Sequence, residues 1–364
     1  MRVIMTGGGT GGHIYPAIAI ADRIDQRTLN SEILFVGTEK GLEKDLVPKH
    51  GYDIKFINVS GISRKNMLKN IKVYKEYVNA KKQAKKIIED FKPDIVIGTG
   101  GYVCGPVVKM AAKMGIKTCI HESNATPGLT NKMLASVVDT IFISFPEAGE
   151  KFKHKEKQIL SGNPVRDEFF KARKNTSREK LGIGQDEFVL LAFGGSQGAG
   201  RINKSMMEVV EKYNGVSKVT VIFGTGKYYY KPILTELKEK GIEISENIRV
   251  LEYIDNMENY LSAADIVVSR SGALTVSEIA VCGTPAILIP SPNVTGNHQM
   301  HNALAIAENG GASILEEKDL TENALYKKIE EMRNNEELLL DMSQKAKECA
   351  PLDATDIIFY TINE

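Results

Sequence analysis

A glycine-rich stretch, Thr6-Gly-Gly-Gly-Thr10-Gly-Gly-His13, follows the apolar run Arg2–Met5 and precedes a segment with helical spacing. Glycines let a backbone turn tightly and approach a ligand, and the start of the next helix presents N–H groups and a positive dipole end. The stretch therefore predicts an anion-binding loop. It also matches the loose dinucleotide-binding pattern, which is weak evidence alone. Glu39 lies farther along the chain than the acidic residue that binds the ribose hydroxyls in dinucleotide-binding proteins.

Two further glycine loops follow predicted strands. Phe193-Gly-Gly-Ser196-Gln-Gly198 occupies the equivalent place in the second half of the chain, and two such loops suit a diphosphate better than one. Gly98-Thr-Gly-Gly101-Tyr102 lies in the basic half and predicts contact with a second phosphorylated substrate. A tight turn without a ligand remains the alternative for each loop.

Residues 269–285 hold the most specific pattern, in which a strand ends at a Ser-Gly pair and a helix begins. The first turn of that helix, whose N–H groups would face a diphosphate, consists of Ala273, Leu274 and Thr275. Glu278 follows on the same helix and could accept both hydroxyls of a ribose. The alternative is a capping box, with Thr275 as the N-cap and Glu278 three residues later.

These loops need a scaffold, and short apolar runs alternate with helical segments such as Ala17–Arg27 and Tyr102–Met114. The predicted strands are Arg2–Met5, Ile33–Val36, Asp94–Gly98, Lys117–Ile120, Thr140–Ser144, Val189–Phe193, Lys218–Phe223, Ile248–Leu251, Asp265–Ser269 and Ala286–Pro290. The alternation predicts an α/β protein with two doubly wound, Rossmann-like domains. Ligands of such domains bind beyond the carboxyl ends of the strands, so the site is expected in a cleft between the two.

The domain boundary is predicted at Ser161-Gly-Asn-Pro164. This gives an N-terminal domain of residues 1–163 and a C-terminal domain of residues 164–340. Residues 341–364 form a helical tail that could pack back on the first domain. The polar stretch 166–187 is expected to be a linker or a surface helix.

The composition of the 364 residues is that of a folded protein, with 42% hydrophobic and 26% charged residues. The four cysteines form no C-x-x-C pair, which argues against a disulfide framework or a zinc site. No secretory signal and no apolar run of about 20 residues is evident, so a cytoplasmic protein without a membrane span is expected. Residues 1–163 contain 25 basic and 16 acidic side chains, whereas the remainder contains 22 and 30, which favours an anionic partner for the first domain.

The segment from Arg64 to Lys86 contains nine basic residues and a single acidic one, Glu76. Its apolar residues at helical spacing are Met67, Leu68, Ile71, Tyr74 and Val78. A basic amphipathic helix of this kind predicts docking on an anionic membrane surface. The alternative is a solvated helix whose apolar stripe packs on its own sheet.

Six motifs occur in an order and spacing that together resemble the MurG family of peripheral membrane N-acetylglucosaminyltransferases. They are Gly-Gly-Thr-Gly-Gly-His13, His121-Glu-Ser-Asn124, Gly162-Asn-Pro-Val-Arg166, Gly-Gly-Ser196-Gln-Gly, Ala273-Leu-Thr-Val-Ser-Glu278 and Asn297-His-Gln299. The resemblance covers nearly the whole chain. It implies the GT-B fold, two Rossmann-like domains facing a deep cleft. It also implies that residues 1–163 bind the acceptor and the membrane and that residues 164–340 bind UDP-GlcNAc.

The resemblance also implies a reaction, the transfer of N-acetylglucosamine from UDP-GlcNAc to the C4 hydroxyl of the muramyl sugar in lipid I. The products are lipid II and UDP, the anomeric configuration inverts, and no cofactor or bound metal is expected. The partners implied are UDP-GlcNAc, lipid I and an anionic membrane surface at the cytoplasmic face, with no nucleic acid. The enzyme would serve peptidoglycan synthesis, and through it cell shape and cell division.

Residue roles follow from the resemblance by matched position. Glu278 is expected to hold the ribose, and the backbone of Ile254 the uracil, with Arg166 nearby. The donor and its diphosphate are expected to contact Ser196, Ala273, Leu274 and Thr275. The sugar hydroxyls are expected to contact Asn124 and Gln299. The residues expected to close over the donor and acceptor phosphates are Thr10, Gly11 and Gly12. His298-Gln299 departs from the paired glutamines of some relatives.

Inverting transfer needs a base for the attacking hydroxyl, and His13 is the predicted one because an unperturbed imidazole pKa near 6.5 suits neutral pH. A role in loop bonding or acceptor binding is the alternative for His13, and His121 with Glu122 is a second candidate. No glycosidase-like carboxylate pair and no G-x-S-x-G elbow is evident. The competing functions are a UDP-GlcNAc 2-epimerase of the same fold, a nicotinamide oxidoreductase and a non-catalytic sugar-nucleotide sensor.

Overall fold

The computed structural model describes residues 1–61 and 67–364, of which residues 67–72 and Thr295 are described by backbone alone. The chain divides into two compact units. Unit 1 contains residues 1–166 together with 353–364, and unit 2 contains residues 167–352. The division falls three residues after the boundary expected from the Gly-Asn-Pro motif. The predicted tail, residues 341–364, is divided between the units, because residues 341–352 belong to unit 2 and residues 353–364 to unit 1.

Unit 1 is built on a parallel sheet of seven described strands in the order β3-β2-β1-β4-β5-β6-β7. The strands are β1 (Arg2–Gly7), β2 (Glu32–Gly37), β3 (Asp53–Phe56), β4 (Ile95–Gly100), β5 (Lys117–Glu122), β6 (Thr140–Ile143) and β7 (Gln158–Leu160). The helices are α1 (Gly11–Arg27), α2 (Glu43–Lys49), α3 (Met67–Phe91), α4 (Cys104–Lys113), α5 (Leu129–Leu134), α6 (Pro146–Glu150) and, at the end of the chain, α16 (Ala354–Asn363). A 3-10 turn covers Lys155–Lys157.

Both faces of this sheet are covered, which explains why its central strands are continuous apolar runs. Val3, Ile4 and Met5 in β1 are fully buried, although neighbouring side chains point to opposite faces. Helix α16 packs on α1 through Ile358 and Ile362. The end of the chain therefore completes the core that begins at its start.

Unit 2 repeats the scheme with six described parallel strands in the order β10-β9-β8-β11-β12-β13. The strands are β8 (Phe188–Phe193), β9 (Val219–Gly224), β10 (Ile248–Leu251), β11 (Ile266–Ser269), β12 (Ala286–Leu288) and β13 (Ala312–Ile314). The helices are α7 (Asp167–Lys171), α8 (Lys174–Leu181), α9 (Gly200–Tyr213), α10 (Tyr230–Glu239), α11 (Met257–Ala263), α12 (Ala273–Cys282), α13 (His298–Ala307), α14 (Ala324–Arg333) and α15 (Glu336–Glu348). Short 3-10 turns cover Thr295–Asn297 and Glu317–Asp319.

All ten predicted strands are present, but three short strands, β3, β7 and β13, were not predicted. They lie at the edges of the two sheets, where a short half-exposed strand gives little hydrophobic signal. Helix α1 begins six residues before the predicted Ala17, because Gly11, Gly12 and Pro16 have low helix propensity and the fold overrides it.

The stretch 166–187 is more than a linker or a surface helix. It forms α7 and α8, and the guanidinium of Arg178 in α8 is almost fully buried. Arg178 Nη2 donates to Asp265 Oδ2 at 2.8 Å, and Asp265 also accepts the N–H of Val189. A polar sequence therefore conceals a buried ion pair that fixes α8 against the sheet of unit 2.

None of the helices in the described part of the chain has the combination of length and hydropathy that a bilayer crossing requires.

Candidate active site

The strand order creates a topological switch point in each unit. In unit 1 the strands that follow β1 lie on one side of it, and the strands that follow β4 lie on the opposite side of the sheet. In unit 2 the same reversal occurs between β8 and β11. Ligands of doubly wound sheets bind beyond the carboxyl ends of the strands at such a point. The loops that follow these four strands are the glycine loops and the Ser-Gly helix start identified in the sequence, so each unit contains its own candidate half-site.

The first and third glycine loops are joined in unit 1. Gly8 N–H donates to Gly100 O at 3.3 Å, and the Thr99 hydroxyl donates to His13 O at 2.6 Å. Gly101 has a φ of +84°, and a side chain there would collide with the backbone of Gly8. The sequence assigned these loops to two different phosphates, whereas the structure makes them one surface.

Thr10 is the N-cap of α1, and His13 lies in its first turn. The N–H groups of Gly11 and Gly12 precede the first intrahelical hydrogen bond, so they have no carbonyl partner one turn earlier in the helix. Thr10 and Gly12 are exposed, while Gly11 and His13 are half-buried. This arrangement places a helix start that could bind an anion beside an imidazole.

The imidazole of His13 is oriented by the backbone of β4, since its Nδ1 lies 3.2 Å from Thr99 O. A carbonyl oxygen only accepts, so this hydrogen bond requires the proton on Nδ1. The neutral ring then has its lone pair on Nε2, the tautomer that a base needs. Gly100, with a φ of +115°, allows this close approach, because a Cβ there would lie 2.6 Å from His13 Nδ1.

Glu43, which the sequence did not identify, lies beneath the first glycine loop. Its side chain is 1% exposed. Its carboxylate accepts the N–H of Gly9 at 2.9 Å and both the N–H and the hydroxyl of Thr38, at 2.9 and 2.8 Å. No local pattern could have revealed it, because an acidic residue in the first turn of a helix is usually solvated.

Asn124 follows β5 and is oriented by Glu122. The Glu122 carboxylate accepts the backbone N–H and the side-chain amide of Asn124, at 3.0 and 3.1 Å, together with the amide of Asn131 at 2.8 Å. Asn124 therefore lies at the same sheet edge as His13 with its amide orientation determined. Glu122 therefore orients Asn124 rather than acting as part of a base with His121.

His121, the second candidate base, is fully buried. Its Nε2 lies 3.1 Å from both Gly162 O and the Ser144 hydroxyl. Burial lowers the pKa of His121 to about 4, so the ring is neutral at physiological pH. A ring enclosed in this way does not contact a substrate hydroxyl, and its role is to join β5 to the segment after β7.

Arg166 is the last residue of the first segment of unit 1. Its guanidinium lies 4.8 Å from the ring centroid of Tyr15, in a cation–π contact with α1. Tyr15 is two residues from His13. Arg166 is thus fixed to the helix that presents the candidate base, and its expected proximity to uracil remains a prediction.

In unit 2, helix α12 begins at Ala273 as predicted, with Gly272 as its N-cap. Its first intrahelical bond runs from Val276 N–H to Gly272 O at 2.9 Å. The N–H groups of the preceding turn, residues 273–275, therefore point out of the helix start. The capping-box alternative is wrong, because Thr275 lies inside the helix rather than at the N-cap.

Ser196 lies in the loop between β8 and α9 and is exposed. The loop is held by a bond from Gly198 N–H to Gly195 O at 2.9 Å and one from Lys227 N–H to Ser196 O at 3.3 Å. Since β8 and β11 are neighbours, this loop and the start of α12 lie at adjacent strand ends. The two predicted anion-binding elements of unit 2 are thereby brought together.

Gln299 is fixed to the same region. Its side-chain carbonyl accepts Ser291 N–H at 2.8 Å, and its backbone carbonyl accepts the hydroxyl of the fully buried Ser271 at 2.7 Å. The amide NH₂ is then the end that can donate to a sugar hydroxyl. Helix α13 is thus attached to the Ser-Gly pair that begins α12.

Glu278 lies in the second turn of α12 and is 9% exposed. Ile254 follows β10 and is also buried, and a Cβ on Gly224 would lie 2.7 Å from its Cδ1. Ile254 therefore packs on the carboxyl end of β9. A further residue of this edge, Arg270, is held by Glu317, whose Oε1 accepts its Nη2–H at 2.8 Å, a partner that the sequence did not reveal.

The residues described with side chains contain no cluster of three or more His, Cys, Asp or Glu arranged to hold a metal ion.

Comparisons with known proteins match both units. Residues 3–143 match the glycosyltransferase family 28 N-terminal domain, and residues 189–356 match the C-terminal domain of the same family. A protein of Thermoanaerobacter sp. (strain X514), named UDP-N-acetylglucosamine–N-acetylmuramyl-(pentapeptide) pyrophosphoryl-undecaprenol N-acetylglucosamine transferase, is 45% identical over 363 residues, or 100% of this chain and 99% of its own. A protein of the same name from Acetivibrio thermocellus is 44% identical over 364 residues, or 100% and 98%.

The chain belongs to the MurG family of glycosyltransferase family 28. A solved MurG structure from Acinetobacter baumannii superposes with a TM-score of 0.74 at 27% identity, covering 100% of this chain and 99% of that one. A UDP-GlcNAc 2-epimerase from Neisseria meningitidis superposes with a TM-score of 0.68 at 15% identity, covering 100% and 99%, which is a likeness of fold alone. The predicted MurG resemblance and the GT-B fold class are confirmed.

Proposed function

We propose that this protein transfers N-acetylglucosamine from UDP-GlcNAc to the C4 hydroxyl of N-acetylmuramic acid in lipid I, giving lipid II and UDP. The observation that carries the proposal is full-length identity of 45% to a transferase named for this reaction. The two helix starts at the switch points support it, because both substrates contain a diphosphate. In a cell, the reaction would serve peptidoglycan synthesis and thereby cell shape and division.

Unit 2 provides the donor half-site in this proposal. Glu278 holds the ribose hydroxyls, the Ile254 backbone contacts uracil, and the Gln299 amide donates to a GlcNAc hydroxyl. The diphosphate is bound by Ser196 and by the first-turn N–H groups of α12, residues 273–275. These N–H groups and the helix dipole stabilise the charge that develops on the departing UDP. The proposal assigns no step to a metal or another cofactor.

Unit 1 provides the acceptor half-site. Thr10, Gly11 and Gly12 close over the phosphates, and Asn124 contacts a sugar hydroxyl. His13 Nε2 takes the proton from the C4 hydroxyl of the acceptor sugar. The oxygen of that hydroxyl attacks C1 of GlcNAc from the face opposite UDP. The C1–O bond to the diphosphate breaks, its electron pair leaves with UDP, and the anomeric configuration inverts.

A transfer assay tests the proposal. The protein is incubated with UDP-[14C]GlcNAc and a lipid I analogue, and label in the lipid product is counted. Incorporation that depends on the lipid acceptor is the expected result. Formation of UDP-ManNAc without any lipid product would overturn the proposal in favour of the epimerase.

The acceptor is lipid-linked, and we place the protein at the cytoplasmic face of the membrane as a peripheral protein. Of the predicted basic segment, residues 62–66, including Arg64 and Lys65, lie outside the described residues, as do the side chains of residues 67–72. Within the described part of α3, Tyr74 is 70% exposed, whereas Ala84 and Ile88 pack into unit 1. Packing on the sheet therefore accounts for the second half of the helix, and docking is proposed for the first.

Vesicle binding tests the docking. A double variant, Lys72→Gln with Lys75→Gln, removes two positive charges from the first half of α3, and Lys231→Gln with Lys238→Gln is the matched control in unit 2. At about 1 kcal/mol per basic residue near an anionic surface, the first pair should weaken binding to phosphatidylserine vesicles by up to about 30-fold at low salt. Equal binding of both double variants, or binding insensitive to salt, would contradict the electrostatic contribution.

A further inference from the structure

Glu43 is a buried carboxylate to which the residue roles proposed above assign no function. It opens α2, and both of its oxygens accept hydrogen bonds, Oε2 from Gly9 N–H and Oε1 from the N–H and hydroxyl of Thr38. All three partners are donors, which matches the acceptor-only chemistry of an ionised carboxylate. A charge buried to this extent is stable in a fold only when it is bonded in this way.

The surrounding backbone is shaped to fit this side chain. A Cβ on Gly8 would lie 2.6 Å from Glu43 Oε1, and one on Gly37 would lie 2.6 Å from its Cγ. A Cβ on Gly41 would also overlap the carboxylate. Two loop positions and the last residue of β2 therefore accept only glycine while Glu43 occupies its place, which indicates a specific site for this side chain.

The bond to Gly9 determines how the first glycine loop faces its ligand. Gly9 has a φ of +89° and directs its N–H inward to Glu43. On its other side the loop is held by Gly8 N–H to Gly100 O and by the hydroxyl of Thr99 to His13 O. The residues after Gly9, which begin α1, are thereby held on both sides.

The charge of Glu43 indicates that its role is to position the loop backbone rather than to act on a ligand directly. Its negative charge lies beneath a loop whose helix start favours an anion, so a direct charge effect would oppose phosphate binding. A carboxylate is nevertheless present, because one side chain must accept three donors from two directions. A neutral glutamine of the same shape has one acceptor oxygen and cannot satisfy both sides.

We propose that Glu43 is a positioning residue that aligns the Thr10–His13 segment for acceptor binding and proton transfer. This inference rests on the proposed transferase function. Glu43 contacts neither substrate nor reacting atoms and acts through Gly9 and Thr38.

The test compares Glu43→Gln with Asp45→Asn, which removes the same charge from an exposed position on the same helix. Glu43→Gln should lower kcat by about 10- to 100-fold, the cost of misplacing reacting groups by about 1 Å. The Kd of UDP should change less than about two-fold, since unit 2 is untouched, and Asp45→Asn should retain wild-type kcat. The acceptor KM should rise in Glu43→Gln as well, and this rise separates a positioning role from general instability, which would reduce the fraction of active protein without changing the acceptor KM.

Thr38→Val supplies a milder variant that keeps the carboxylate and removes one of its three donors. We expect an intermediate fall in kcat, about two- to ten-fold. Wild-type kcat in both Glu43→Gln and Thr38→Val would overturn the positioning role, as would equal losses in Glu43→Gln and Asp45→Asn. Failure of the wild-type protein to label the lipid acceptor would instead reject the transferase function itself.

Discussion

Gly100→Ala is the substitution that most directly tests the geometry around His13. A Cβ at position 100 would lie 2.6 Å from His13 Nδ1 and 2.8 Å from its Cε1. The ring would have to move by roughly 0.8 Å or more to reach ordinary contact distance, which also breaks its bond to Thr99 O. The φ of +115° adds backbone strain of about 1–3 kcal/mol for a residue other than glycine.

A displacement of this size should lower kcat of the transfer reaction by about 100-fold, because reacting groups tolerate little misplacement. The Tm of unit 1 should fall by about 4–8 °C for 2 kcal/mol of strain. Gly115→Ala is the control, since Gly115 also has a positive φ, +75°, but no atom lies within 4 Å of the added methyl. It should lose stability and retain kcat.

Steady-state kinetics with a lipid I analogue, together with thermal unfolding, distinguishes the two effects. The two variants should share a loss of Tm and differ in kcat. Equal kcat in Gly100→Ala and Gly115→Ala would refute the proposed role of the ring, because the position of His13 would then have no bearing on turnover.

The remaining predictions concern both units. His13→Ala should lower kcat by at least about 100-fold and leave UDP binding by calorimetry intact, and near-wild-type turnover would exclude it as the base. Glu278→Ala should raise the Kd of UDP by about 10- to 100-fold, the loss of a charge-assisted pair of hydrogen bonds, and an unchanged Kd would exclude ribose contact. Asp265→Ala leaves Arg178 buried without its carboxylate partner and should lower the free energy of unfolding of unit 2 by about 3 kcal/mol in urea. Burial lowers the pKa of His121 to about 4, so the unfolded chain binds more protons than the folded chain between pH 6.5 and pH 4. The free energy of unfolding should therefore fall by up to about 3 kcal/mol on acidification through this window. His121→Gln should reduce this dependence on pH, measured by thermal melting at a series of pH values.

Local pattern was sufficient for the parts of the site that depend on neighbours in sequence. Strand–helix alternation predicted the two parallel sheets, and the start of α12 at Ala273 was predicted because a strand, a Ser-Gly pair and a helix follow one another directly. The beginning of α1 was missed because its glycines and Pro16 are poor helix formers, and helix propensity says nothing of the sheet on which α1 packs.

The sequence alone determined that the chain is a two-domain α/β protein of the MurG family, because periodicity and motif order are properties of the chain itself. Only the tertiary structure decided that β1 lies beside β4, which joins two glycine loops separated by about 90 residues into one surface. It also decided that Glu43 reaches Gly9 and that His121 is enclosed. Strand order and burial arise from packing between segments distant in sequence, and no local spacing records which distant donor a buried carboxylate will meet.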